Sequence, residues 1–206
     1  MKTRKTERRA QGRRARGFSL TELVVAMAVA LVLIGIGMPY FLRAYHAYQL
    51  TNAAQQFADI LRLTRYEAIR LNKNVNCVIK PSADAGYTIA FADSNGNGSQ
   101  DATEKMILLG TGGNLVDGGG VTGAGTLLAT ANVTSLPAYP TPGNATIPFD
   151  SRGAVIVGGV ITTKVNVFYL GSSIGPEAGF RAVLLMPSGS IQVWTVDGAG
   201  NWGQLR

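Results

Sequence analysis

Residues 23–42 constrain this chain more than any other stretch: twenty residues without a charge, directly preceded by Glu22. As a helix, that run is long enough to cross about 30 Å of hydrocarbon, and counting from Phe18 leaves room for some tilt. A carboxylate at its edge costs roughly 2.5–3.5 kcal/mol if it reaches the bilayer centre. A partner for Glu22 must offset that cost. Arg43 marks the far end, and Tyr40, Tyr45 and Tyr48 stand where an aromatic belt would sit.

The charge distribution sets the orientation. Residues 1–17 carry eight Lys or Arg against Glu7, whereas the rest of the chain has eleven basic and eleven acidic residues. The net charge of +7 and the high pI therefore belong to the leader. Without it no global basic field remains to steer polyanions, so nucleic acid is disfavoured as a partner. A basic cluster ahead of an apolar span predicts a cytoplasmic N-terminus and an exported remainder. A secretory signal fits poorly, because its apolar core is about 7–15 residues and ends in a small-x-small cleavage site. Here the small residue, Gly17, precedes the run, so cleavage there removes the leader and keeps the anchor.

The stretch Gly17-Phe18-Ser19-Leu20-Thr21-Glu22 followed by this apolar run resembles the signal of type IV pilins and type II secretion pseudopilins. The resemblance implies that a prepilin peptidase cuts after Gly17 and N-methylates Phe18. It makes Glu22 the fifth mature residue and Pro39 the proline the family places further into this helix. The freed amine of a neighbouring subunit's Phe18 is then the natural counter-charge of Glu22. Pro39 lacks an N–H and permits a kink or local melting, with Gly35 and Gly37 adding close helix approach.

From Tyr45 to Lys73 there is neither Pro nor Gly. Leu50, Ala54, Phe57, Leu61, Thr64, Ala68 and Leu71 alternate at spacings of four and three, one apolar stripe of a helix. Residues 63–72 resemble the corresponding region of the minor pseudopilin H and FimT-like subfamily. The expected organisation is a cleaved leader over 1–17, a transmembrane and assembly helix over 18–42, its amphipathic continuation over 43–73, and a β-rich periplasmic domain over 74–206.

Within that domain, 75–80, 87–92, 105–109, 145–149, 154–157, 164–170, 181–186 and 190–196 read as short strands. Val165, Val167 and Tyr169 alternate as in a half-buried antiparallel strand. The fold class is α+β: a long N-terminal helix packed on antiparallel sheets, the pilin-like arrangement that the resemblance also implies. Residues 110–145 contain eight glycines before Thr126 and read as a long loop, with no helix expected after Gly118-Gly119-Gly120.

Residues 93–104 place oxygen-bearing side chains at Asp93, Asn95, Asn97, Asp101 and Glu104, with Gly98 at the sharp turn. That is the spacing of a calcium loop. Gln100 stands where an aliphatic residue is usual, and the flanks read as strands. Two readings stand: a Ca²⁺ site, or an Asx-rich hairpin turn with no cofactor.

The single cysteine, Cys77, excludes an intrachain disulfide and reads as a small buried hydrophobe. The single histidine, His46, lies on the anchor helix, away from any domain residue it could activate. No enzymatic activity is expected. The resemblance implies a minor pseudopilin of a type II secretion pseudopilus, single-pass in the bacterial inner membrane. Its partners would be other pseudopilins or pilins, the prepilin peptidase and the inner-membrane assembly platform. The alternative is a FimT-like minor pilin of a type IV pilus that binds DNA, with Trp194 and Trp202 available for stacking. Against it, only Arg206 is basic after Arg181.

Overall fold

The computed structural model describes residues 18–83, 86–132 and 145–205. The chain divides at Tyr40 into two units. Helix α1 (Leu20–Leu71) supplies the described part of the first unit and enters the second. In the first unit it is apolar, and every described residue is exposed.

In the second unit the stripe does what its spacing predicts. Leu50, Ala54, Phe57, Leu61, Thr64 and Ala68 are all buried, and Leu71 at the end of the helix is half-exposed. Phe57 meets Phe168 edge-on at 5.1 Å between ring centres, a favoured aromatic geometry. Charged residues stay off the stripe and pair along the helix, as in Arg62–Asp59 and Arg70–Glu67.

Two antiparallel sheets pack on this helix. The first has the order β3–β2–β1–β5, built from β1 (Val75–Pro81), β2 (Thr88–Asp93), β3 (Met106–Leu109) and β5 (Ala145–Phe149). The second has the order β11–β10–β9–β8–β4. It comprises β4 (Asn114–Val116), β8 (Asn166–Gly171), β9 (Phe180–Leu185), β10 (Ile191–Val196) and β11 (Trp202–Gln204). A small hairpin of β6 (Ile156–Val157) and β7 (Val160–Ile161) stands apart from both. One core joins α1 to the inner faces of both sheets, including Cys77, Ile147, Phe168, Leu170 and Val183. Arg181 fastens the second sheet to α1, its Nε donating to Thr51 Oγ1 at 3.0 Å. The α+β reading holds.

The glycine-rich stretch departs from expectation. Residues 110–132 are not a plain loop: they contain β4, a short 3-10 turn at Gly118–Gly120 and helix α2 (Ala124–Ala131). The remainder of the expected loop, 133–144, lies outside the described residues. Gly123 caps α2 with φ +73°, and a Cβ there would stand 2.6 Å from Gly200 O, so backbone approach and left-handed conformation both require glycine. Helix α2 lays Leu127 on the outer face of the second sheet. A second core forms there from Val121, Leu127, Val165, Val167, Tyr169, Leu184, Trp194 and Trp202.

That cover explains a second difference. Strand β8 is buried on both faces rather than half-buried. Phe168 and Leu170 point into the first core, and Val165, Val167 and Tyr169 into the second.

Candidate functional site

The site with the clearest chemical logic is the start of α1. Glu22 stands in the first helical turn, where an anion meets the positive end of the helix dipole. Phe18 precedes it, 81% exposed. Gly17 and the leader lie outside the described residues. Beyond Glu22, large apolar side chains such as Leu23, Val25, Leu31, Ile34 and Phe41 remain more than half exposed. A face this apolar in a single chain is built to be covered by lipid or by other helices. Pro39 lies inside α1, which runs on as helix to Leu71. Having no N–H, Pro39 leaves the carbonyl of Gly35 without its usual helical donor. A Cβ on Gly35 or Gly37 would meet nothing within 4 Å. Their smallness therefore serves no contact inside this chain and suits the approach of another helix.

The loop at 93–104 is a second candidate. It connects β2 to β3, with Asp93 and Glu104 buried and Asn95 and Asn97 exposed. Asp93 Oδ1 accepts the backbone N–H groups of Gly96 and Asn97, and Oδ2 accepts that of Gly98 at 3.0 Å. Glu104 Oε1 accepts the N–H of Ser94 at 2.8 Å, and Oε2 that of Asp101 at 3.2 Å. The side-chain amides of Asn95 and Asn97 donate to Asp101 Oδ2. The five side chains proposed as calcium ligands thus come together, but their oxygens are engaged by donors of the loop itself. Among the described residues, no group of three or more His, Cys, Asp or Glu side chains is placed to hold a metal. A calcium ion would have to compete with hydrogen bonds already made.

His46 corrects another expectation. It is not remote from the domain: its Nδ1 lies 2.6 Å from Glu177 Oε1. Its ring packs so closely on Gly175 that a Cβ there would clash. The His46 hydrogen bond holds the Glu177 carboxyl below the usual carboxylate range, with a smaller contribution from Arg43. The pair clips the β8–β9 connection to α1.

The tryptophans proposed for stacking on a nucleic acid strand are buried in the second core, Trp194 8% and Trp202 5% exposed. Trp202 Nε1 donates to Gly123 O at 2.8 Å, and its ring lies 6.1 Å from that of Tyr169. Neither can present a face to a base, so that route to DNA binding is closed. Cys77 is fully buried, and burial pushes its thiol up to about 12. It is an inert core residue. Sequence reasoning missed the cover over the second sheet. Its one readable signal was the pair Leu127-Leu128 amid glycines and small residues.

Comparison with known proteins bears on this geometry. Residues 12–38 match the prokaryotic N-terminal methylation motif, a span that contains Gly17, Phe18 and Glu22. Residues 53–189 match the type II transport protein GspH, which takes in the buried stripe of α1 from Ala54 onward and both sheets as far as the turn after β9. A pilin-like protein of Thermus thermophilus, PilA1, is 32% identical over 91 residues, covering 44% of this chain and 56% of the relative. The chain thus spans little more than half the length of the curated relative it matches. No solved structure matches it. An exposed apolar helix start bearing one carboxylate, on a domain most of whose stripe and strands fall within the matched span, places the chain in the GspH family of type IV pilin-like proteins.

Proposed function

We propose that this chain is a minor pseudopilin of a type II secretion pseudopilus. The prepilin peptidase cuts after Gly17 and methylates the amine of Phe18. The mature chain is held in the bacterial inner membrane by the single span 18–42, with its N-terminus cytoplasmic and its domain periplasmic. It leaves the bilayer by packing that helix among other pseudopilins on the assembly platform. The role is structural, with no catalytic step and no bound cofactor. The observation that carries this reading is the lone Glu22 at the head of an apolar, uncovered helix, joined to a domain matched by the GspH family. In a filament core an uncompensated carboxylate would be costly. The amine freed at Phe18 of an adjacent subunit supplies the opposite charge and fixes the axial register.

A second reading is a minor pilin of a type IV pilus, supported by the pilin-like relative. Both readings share the processing and packing steps and differ in the filament joined.

The test combines two variants in the host. Gly17→Val should leave the leader uncut, seen as a band heavier by about 2 kDa. Glu22→Ala should insert and be cleaved normally, yet fall by about a hundredfold or more in co-purification with secretion pseudopilins, the loss expected when one partner of a buried charge pair is removed. Normal incorporation of Glu22→Ala would sink the pairing model. Recovery with pilus subunits instead of secretion pseudopilins would favour the second reading.

A further inference from the structure

We infer that the free edge of β3 is a docking site for an extended strand of a neighbouring pilin-like subunit, which would add to the first sheet beside α1. The inference rests on the filament reading above and concerns a surface that the N-terminal helix does not provide.

Strand β3 reads Met106-Ile107-Leu108-Leu109 and closes one side of the first sheet, paired among the described residues to β2 alone. Ala92 N–H donates to Lys105 O. By the alternation of an antiparallel ladder, Ile107 and Leu109 then direct their backbone groups at β2. The N–H and C=O of Met106 and Leu108 point away from the sheet. Native edges are ordinarily blunted by charge, proline, bulges or cover. The other edges follow that rule: β5 is bridged by Val155 at Phe149, β11 is approached by α2 through Trp202 and Gly123, and β4 has three residues followed by Asp117. Strand β3 has neither charge nor proline within it.

Side chains point the same way. Leu109 is buried in the first core, and Ile107 packs against it. Met106 and Leu108 stand on the opposite face, 47% and 45% exposed. The ladder sets them in rows with other apolar groups: Val78, Phe91 and Met106 in one, Ile89 and Leu108 in the next. An added strand would continue both rows. On the α1 side the edge borders a cleft of about 170 Å³ lined by Gln49, Asn52, Gln56 and Gly112. An incoming strand would therefore meet apolar neighbours on one face and amide side chains on the other.

The size of the edge selects the occupant. A strand laid along four residues buries only a few hundred Å², well below the roughly 1,200–2,000 Å² of a stable interface between free proteins. Such a contact forms when its partner is already tethered nearby, where effective concentration replaces intrinsic affinity. A subunit packed alongside through its own N-terminal helix meets that condition. Main-chain pairing supplies the bond and alternate side chains the selectivity.

The test uses the full-length protein in host membranes with its partner subunits present. A photoreactive benzoylphenylalanine in place of Leu108 should give an adduct with another pilin-like subunit, identified by mass spectrometry. An adduct with lipid alone, or none, overturns the inference. Leu108→Lys charges the edge, and Leu108→Pro removes an N–H that points away from β2, a position where proline is tolerated. Leu108→Pro should lower co-purification with other subunits about fivefold, the effect of one main-chain hydrogen bond left unmade, and Leu108→Lys should lower it too, by setting a charge on the edge that an added strand would cover. If Leu108→Pro does not fold, Leu108→Lys carries the test, because its side chain is already half in water. Wild-type melting with undiminished co-purification overturns the inference. Glu22→Ala separates the two proposals: if it abolishes incorporation while Leu108→Lys does not, the filament reading stands and the edge site falls. If neither changes incorporation, the Glu22 pairing model and the edge site both fall, whereas a wild-type chain that co-purifies with no pilin-like subunit overturns the filament reading itself.

Discussion

The two sheets share one helix and one core, yet the first is left open at its β3 edge and only the second is sealed by an apolar layer across its outer face. There Leu127 of α2, Val121 and the indole of Trp202 form a second apolar layer. The first sheet has no such layer among the described residues. Its outer Phe91 is fully buried, with the Lys80 ammonium 5.1 Å from the ring centre and bonded to Gly98 O of the 93–104 loop, but Met106 and Leu108 at the β3 edge stay half in water. A chain able to fold a glycine-rich segment into a lid over one sheet has left the other open along an apolar edge. The difference separates a surface finished within the subunit from one available to another subunit.

The largest expected effect tests the sealed side. Trp202→Ala removes the indole that joins Tyr169, Leu127 and Gly123, and should destabilise the domain by roughly 3–5 kcal/mol, measured by denaturant unfolding of the detergent-solubilised protein. Leu108→Ala on the open side should cost under about 1 kcal/mol, as a half-exposed side chain has less burial to lose. Equal losses at the two positions would show that the outer face of the first sheet is as well packed as that of the second, and the contrast would fail.

The same contrast explains what the sequence made legible. The α1 stripe was readable because its period is local: Leu50 to Ala68 declare their face by spacing alone. Most strands were legible from alternation and turn residues. Helix α2 was not. It is eight residues long and contains Gly125, Thr126 and Thr130, so despite its alanines and leucines it is too short to nucleate by itself. It exists because Leu127 finds a sheet whose strands lie some forty or more residues further along the chain. Burial of Trp194 and Trp202 depends on that same lid, so the tryptophans could not be told from exposed stacking residues without it. Strand β11 was hidden by its length and by Gly203. At the candidate assembly site Glu22 stood out in the sequence, because a carboxylate beside an uncharged run needs no tertiary context.

An intermediate effect is expected where the loop 93–104 meets the open sheet. Asp93 is buried, and its carboxylate accepts three backbone N–H groups. Asp93→Ala leaves those donors unmatched and should cost about 2–3 kcal/mol by the same unfolding measurement. Asp93→Asn keeps one acceptor oxygen and should cost about half as much. A loss under about 0.5 kcal/mol in both variants would mean the loop does not brace the sheet.

The smallest expected effect decides what that loop is for. If Asp93, Asn95, Asn97, Asp101 and Glu104 formed a calcium site, ligand binding to the native state would stabilise it by mass action. At a hundredfold excess over the dissociation constant the gain is about 2.7 kcal/mol. The hydrogen bonds point the other way. Glu104 spends its oxygens on the N–H groups of Ser94 and Asp101, and the amides of Asn95 and Asn97 turn their donors, not their oxygens, toward Asp101. Binding calcium would require those amides to reverse and the backbone donors to find new acceptors. We therefore expect calcium at about 1 mM, the weak end of extracellular calcium modules, to leave the unfolding midpoint unchanged relative to a chelator. A midpoint that climbs with the logarithm of calcium concentration, and ceases to do so in Glu104→Gln, would reverse this reading. The loop would then be a metal-dependent brace on the open sheet, and the strength of the β3 edge would become calcium-dependent with it.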